Sequence, residues 1–269
     1  MVQFVDQFFD GFRNDDLTIL WLSWFPYIVL TNGKAVEAVL SSNAILHKSK
    51  EYDYLKPWIN RGLLTSEPEK WKKRRKLLSP AFNKNLLRDS LTVVNRHSFS
   101  LLSSINDETE NEIDLFKRIP LITFDIICES IIGQCIDDSK MDYINAILFI
   151  TDSTFRRLFT IPFWFDFIFY KTQFGKQYKQ SIEFVHSLSR KIVKKRIEEL
   201  ENQMKLKNIE SKYLLIKEKG RIFLDILIEQ YIKDNCKSNF SIRDICEEVD
   251  TFIFEGFETT AATICWTLH

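Results

Sequence analysis

Turn-forming residues are scarce in this chain: seven glycines and six prolines serve 269 positions. An all-β sandwich or barrel needs turn chemistry roughly every 8–12 residues, so that class is disfavoured and long helices are favoured. Apolar residues make up 45% of the sequence and aromatics 14%, enough for a substantial core.

The exception lies near the start. Thr18 to Leu30 (TILWLSWFPYIVL) is rich in β-branched and aromatic residues and runs into Thr31-Asn32-Gly33, which predicts one or two short strands followed by a turn. Lys34 to Leu40 then has helical spacing, closed by Ser41-Ser42-Asn43. From Lys70 onward the pattern reads as helix, with breaks expected at Pro80, Pro120, Pro162 and Gly220 and at the polar link from Asn106 to Asn111. Lys194 to Lys219 is dominated by charge and reads as a solvated helix running into a loop. The last helix is the best delimited: Ser241 is a good N-cap with Asp244 three residues on, and Ile242, Ile245, Val249, Phe252 and Ile253 trace its apolar stripe.

Charge and cysteine content exclude several function classes. Thirty-seven basic residues balance 37 acidic ones, so no global field draws the protein to nucleic acid. Cys128, Cys135, Cys236, Cys246 and Cys265 form no C-x-x-C pair and have no histidine at zinc-site spacing, so buried thiols in a reducing compartment are expected and no metal ligand set is assigned. The N-terminal MVQFVDQFFDGFRNDD has no basic region ahead of an apolar run, so neither signal peptide nor start-anchor helix is read there.

Two segments carry unusual chemistry. Glu247 to Leu268 is an apolar helical tract holding Glu255, Gly256, Glu258, Thr259 and Thr260 at its centre, although buried acids are unfavourable unless paired and a mid-helix glycine costs about 1 kcal/mol relative to alanine. Glu255 and Thr259 share one helical face with Gly256 at its edge, a surface suited to a flat ligand. Thr259 can also bond the Glu255 carbonyl, bending the helix and admitting water. Tight helix packing at Gly256, with the acids reaching solvent, fits the same residues equally well. The second segment, Gly62 to Phe82, places the pure donors Trp71 and Arg75 one turn apart, where they could hold paired carboxylates or a phosphate; a solvated basic helix with Trp71 in the core is the competing reading.

Together these segments resemble the cytochrome P-450 superfamily, specifically its family 4 of insects and vertebrates. YDYLKPWINRGLLTSEPEKWKKRRKLLSPAF is similar to that family's approach to its C helix, with the W-x-x-x-R motif at Trp71 and Arg75. DIICESIIG (Asp125 to Gly133) resembles its E helix, and EEVDTFIFEGFETTAA its I helix. The resemblance runs from about Thr18 to the end and implies a mainly α, partial P-450 fold, helices B through I with a short N-terminal β segment. It implies one incomplete domain over 1–269, with a β segment at 17–32, a helical body at 70–240 and a truncated I helix at 241–269.

The implied function is a haem-thiolate monooxygenase oxidising a lipophilic substrate such as a fatty acid, hormone or xenobiotic, with electrons from NADPH-cytochrome reductase, at the endoplasmic reticulum membrane. By that resemblance Trp71 and Arg75 bind haem propionate, Thr259 serves oxygen activation with Glu258 as neighbouring acid, Glu255 matches the glutamate esterified to a haem methyl in many family 4 enzymes, and Gly256 borders the cofactor, haem b. The family commonly has His and Asp where Phe257 and Glu258 stand. No cysteine here lies in a pattern resembling the haem loop, and the helical pattern reaches His269 without a cap, so the chain reads as cut and, as written, inactive for want of the thiolate; a non-enzymatic fragment or incomplete gene model is the alternative. Pro162 to Phe174 (PFWFDFIFYKTQF) matches a region that often touches the bilayer in the family, though core packing suits its aromatics as well.

Overall fold

The computed structural model describes residues 17–22, 24–82, 84–106, 113–136, 138–205, 222–233 and 240–268. The breaks expected at Asn106 to Asn111 and at Gly220, the far part of the charged tract beyond Lys205, and Cys236 lie wholly or largely outside these residues. The chain forms two compact units, residues 1–48 and 49–269.

The first unit holds β1 (Leu17–Leu22) and β2 (Phe25–Leu30), paired antiparallel with Leu17 opposite Leu30 and Leu22 opposite Phe25, then helix α1 (Gly33–Leu40). Both strands are where the β-branched run placed them. Asn32 caps α1 through its side-chain oxygen, which accepts from the Ala35 N–H at 2.8 Å; the Asn-Gly pair thus starts a helix instead of closing a turn between strands.

The second unit is helical among its described residues. A 3-10 turn (Lys50–Tyr54) leads to α2 (Lys56–Ile59), α3 (Pro68–Leu78), a 3-10 turn (Ser79–Phe82), α4 (Lys84–Asn106), α5 (Leu115–Ile132), α6 (Lys140–Phe159), a 3-10 turn (Ile161–Trp164), α7 (Asp166–Phe169), α8 (Gln173–Lys205), α9 (Phe223–Lys233) and α10 (Ile242–Leu268). Helix α10 packs on α2, α5, α8 and α9, and α6 packs on α8. The core gathers Trp58, Phe124, Tyr143, Ile147, Val185, Leu224, Val249, Ile253 and Phe257 from these helices.

Local chemistry explains most boundaries. Pro68 opens α3, a position where the missing N–H has no helical partner; Pro80 follows its end, and Pro162 sits in a 3-10 turn, both as expected. Pro120 overturns the expected break, because α5 continues through it. It stands six residues past the Asp114 cap, inside the helix, where a single backbone bond to the Phe116 carbonyl is lost, while α5 is held along its length against α10 and α4. Gly133, at φ 82°, closes α5 in the left-handed region.

The turn between α2 and α3 is seated directly on α10. A Cβ at Gly62 would collide with Thr251 Oγ1 and lie 2.9 Å from the Glu247 carbonyl oxygen. Gly62→Ala is therefore expected to lower unfolding stability by about 1–3 kcal/mol, read as a drop in the urea midpoint; an unchanged midpoint would show that the turn is not pressed on the helix.

Candidate active site

Helix α10 changes character along its length. From Ile245 to Thr251 it is enclosed on every side: Ile245 and Val249 are fully buried, and so are Glu247, Glu248, Asp250 and Thr251. Beyond that point one side stays open, with Thr259, Ala262, Thr263 and Trp266 exposed and Glu255 half-buried at the head of the same strip. The Thr259 hydroxyl donates to the Glu255 carbonyl at 2.5 Å, as the sequence predicted, and Thr263 and Thr267 repeat that bond at 2.9 and 2.7 Å.

Two expected members of this strip face elsewhere. Gly256 abuts α5: a Cβ there would come within 2.5 Å of Ile127 Cγ1, so close helix packing, the alternative reading, accounts for the glycine. Glu258 points toward α6, where the Thr151 hydroxyl donates to its Oε2 at 3.4 Å. Burial raises the Glu258 pKa above the ordinary carboxylate value, with Thr151 opposing and Glu255 adding to the rise. Thus Glu255 and Thr259 lie together, while Gly256 and Glu258 serve the contacts with α5 and α6.

Trp71 and Arg75 stand one turn apart on α3, Trp71 half-buried and Arg75 exposed. Among the described residues neither the indole N–H nor the guanidinium has a side-chain or backbone partner. Beside them Arg74 is buried and fully engaged. Its guanidinium donates to Glu248 Oε1 at 3.0 Å, to the Asp244 carboxylate and to the Asp244 carbonyl at 3.3 Å, and it lies 4.5 Å from the Phe240 ring centroid. Lys70, one turn earlier, reaches Glu247 at 2.8 Å and Asp244 at 3.3 Å, and the Leu63 N–H donates to Glu248 Oε2 at 3.1 Å.

Burial pushes the Glu248 pKa up to about 7 against the pull of Arg74. Asp250, between α8 and α6, is pushed up to about 8 by burial although the Ser189 hydroxyl donates to its Oδ1, and its Oδ2 has no hydrogen-bond partner. His186, 3.9 Å from that oxygen, is driven toward its neutral form by burial, and its Nε2–H donates to the Trp58 carbonyl, 2.6 Å away; contact with a carbonyl oxygen makes Nε2 the protonated nitrogen.

The family model for cytochrome P450 matches residues 2–269. The chain belongs to the cytochrome P450 family. Among similar curated proteins, human cytochrome P450 4V2 is 33% identical over 273 residues, covering 99% of this chain and 51% of its own. Cytochrome P450 4c3 of Drosophila melanogaster is 37% identical over 259 residues, covering 93% of this chain and 48% of its own. The family 4 resemblance is thereby shown, and the chain spans about half the length of these relatives. A crystal structure of a cytochrome P450 (CYP102L1) aligns over the whole chain and 57% of its own, with TM-score 0.73 at 19% identity, which shows that the fold is that of the family.

A P450 implies haem, and the residues present fit one on its oxygen side. Two donors on α3 without a partner among the described residues suit paired carboxylates, and the strip of α10 headed by Glu255 and Thr259 is exposed from Thr259 on. Three of the four described cysteines, Cys128, Cys246 and Cys265, do not fit the proximal ligand. Cys265 is buried with its thiol on the Leu115 carbonyl at 3.7 Å, and burial raises Cys128 well above its ordinary pKa and Cys246 to about 12, which disfavours a thiolate. Folding does assemble one group invisible in the sequence spacing: His97, Glu129 and Cys135 present ligand-type atoms within 4.8 Å of one another, with Glu129 already paired to Arg96 and to His97 at 2.9 Å.

Sequence reasoning missed Arg74, Lys70, Asp244, Glu247 and Glu248 as a connected group. The available signal was four acids, Asp244, Glu247, Glu248 and Asp250, in the first turns of a helix with an apolar stripe, where buried acids require partners from elsewhere in the fold.

The raised pKa of Asp250 fixes a sign for pH dependence. Its protonated form is favoured in the folded state, so its contribution is complete below the unfolded value of about 3.9 and is lost as pH rises through about 8. Asp250→Asn should flatten the decline in melting temperature between about pH 5 and pH 8; an equally steep decline in the variant would contradict the assignment.

Proposed function

We propose that this chain provides the oxygen side of a haem monooxygenase that inserts one atom of O2 into a lipophilic substrate, such as a fatty acid, hormone or xenobiotic, with electrons from NADPH-cytochrome reductase at the endoplasmic reticulum membrane. The observation that carries the reading is the pair of donors, Trp71 and Arg75, which find no side-chain partner among the described residues and stand on a helix ion-paired to the start of α10. A guanidinium matches a carboxylate in geometry as well as charge, and an indole N–H adds a second donor.

In this reading Trp71 and Arg75 hold the haem propionates and Glu255 and Thr259 line the oxygen face. Bound haem supplies the redox-active iron at which O2 is reduced and cleaved. The Thr259 O–H is spent on the Glu255 carbonyl, which leaves its oxygen lone pairs to accept a hydrogen bond from a proton-bearing neighbour. Glu258, whose pKa burial raises and whose carboxylate is held at Thr151, stands one residue away on the α6 side, so it acts by relay and not by direct contact with the strip. Glu255 is the residue offered for covalent attachment.

Residues 162–174 divide between the two roles considered for them. Phe169 is fully buried, with the Arg157 guanidinium 4.4 Å from its ring centroid, whereas Phe165 and Phe167 are exposed and are the side chains available to a membrane surface. Among the described residues no helix is long and apolar enough to cross a membrane.

Haemin titration of the 269-residue chain tests the propionate site: Arg75→Ala should weaken binding by about tenfold, equivalent to one charge-assisted hydrogen bond. The same chain is expected to give no thiolate-type absorption spectrum, because Cys128 and Cys246 are held protonated by burial and Cys265 is buried on the Leu115 carbonyl. Haemin binding indifferent to Arg75, or a thiolate spectrum, would overturn the corresponding part of the reading.

A further inference from the structure

We propose that Arg74 is a positioning residue: it locks α3 to the first turns of α10 and thereby sets the rotation at which Trp71 and Arg75 are presented. The inference rests on the haem reading above and adds to it a device that keeps the propionate donors in register with the oxygen-side strip.

The geometry is specific. Arg74 is buried, and its planar fork reaches two acids one turn apart, Asp244 and Glu248, while the Phe240 ring covers the guanidinium. Such a fork fixes direction as well as distance, which a flexible ammonium does not. Lys70 adds a second tie one turn earlier, through Glu247. The acids are themselves held: Ser241 N–H and Oγ donate to Asp244 Oδ2 at 2.8 and 2.7 Å, and Leu63 N–H donates to the second oxygen of Glu248. On α3, Trp71 and Arg75 lie one position further round the helix than Lys70 and Arg74, so a turn of α3 about its axis would move both donors together. On α10, Glu248 and Thr259 belong to one uninterrupted helix and are separated by about 16 Å along its axis. Clamping α3 at Glu248 therefore fixes its placement relative to Thr259 without any contact at Thr259.

The test uses the 269-residue chain with two readouts, haemin affinity and amide hydrogen exchange of the haem-free protein. Arg74→Met keeps the bulk and removes the fork. It should speed exchange across 71–78 and weaken haemin binding, each by about tenfold. Arg75→Met should weaken haemin binding but leave that exchange unchanged. As a structural control, Arg196→Met breaks the bidentate pair between α8 and Asp225 of α9 (2.8 and 2.9 Å) and should lower the melting temperature without changing haemin affinity.

If Arg74→Met loosens α3 yet binds haemin as the parent does, while Arg75→Met does not, Arg74 is only structural and the proposal falls with the haem reading intact. If Arg75→Met also binds as the parent does, the haem reading fails and this inference fails with it. Should Arg74→Met not fold, Arg74→Lys and Glu248→Gln carry the test; each should weaken haemin binding by a few-fold, and parental affinity in both would overturn the proposal.

Discussion

Helix α10 places three acids where water does not reach, and the rest of the second unit is arranged around that constraint. Glu247, Glu248 and Asp250 occupy its first three turns, all buried. An isolated ionised carboxylate in such a place is strongly unfavourable, so each must be paired, hydrogen-bonded or neutral. Glu248 takes Arg74 and the Leu63 N–H, Glu247 takes Lys70, and Asp250 takes Ser189 and favours its protonated form. These partners come from α3, the turn before it and α8, so meeting the needs of one helix brings together segments separated by more than 170 residues in the case of α3.

The same helix passes from an enclosed part to an open one along its axis. Its first half supplies the enclosed core, closed at Gly62 on one side and Gly256 on another, where a single methyl group would collide with neighbours. Its second half leaves Glu255, Thr259, Ala262 and Thr263 along one side, and there three threonines in succession bond back to the preceding turn. The buried ion pairs are not a large net source of stability, since comparable hydrophobic packing can do as well, but losing one partner alone costs about 3–5 kcal/mol. Their evident gain is a defined direction for α3.

Much of this was legible in the linear sequence because it depends on near neighbours. The strands at Leu17–Leu22 and Phe25–Leu30, the helix at Gly33–Leu40, the Ser241–Asp244 capping box and the Thr259–Glu255 bond all follow from residues no more than four apart or from a simple alternation of side chains. The order of the W-x-x-x-R and EGFETT tracts was enough to indicate the family. Pro120 was misread because local propensity argues for a break, whereas one missing backbone bond is offset by packing along the whole of α5.

The sequence by itself determined the helical class, the family and the identity of the polar residues on α3 and α10, because composition, periodicity and motif order are properties of the chain. Only the tertiary structure decided which of those residues share a surface. A one-residue step on a helix is a rotation of about 100°, so Glu258 turns to Thr151 while Thr259 stays on the open strip, and Gly256 turns to Ile127. By the same step Arg74 is buried against Asp244 and Glu248 while Arg75 remains unspent. Adjacent residues of nearly equal chemistry thus take opposite roles, and what separates them is the helix each one faces.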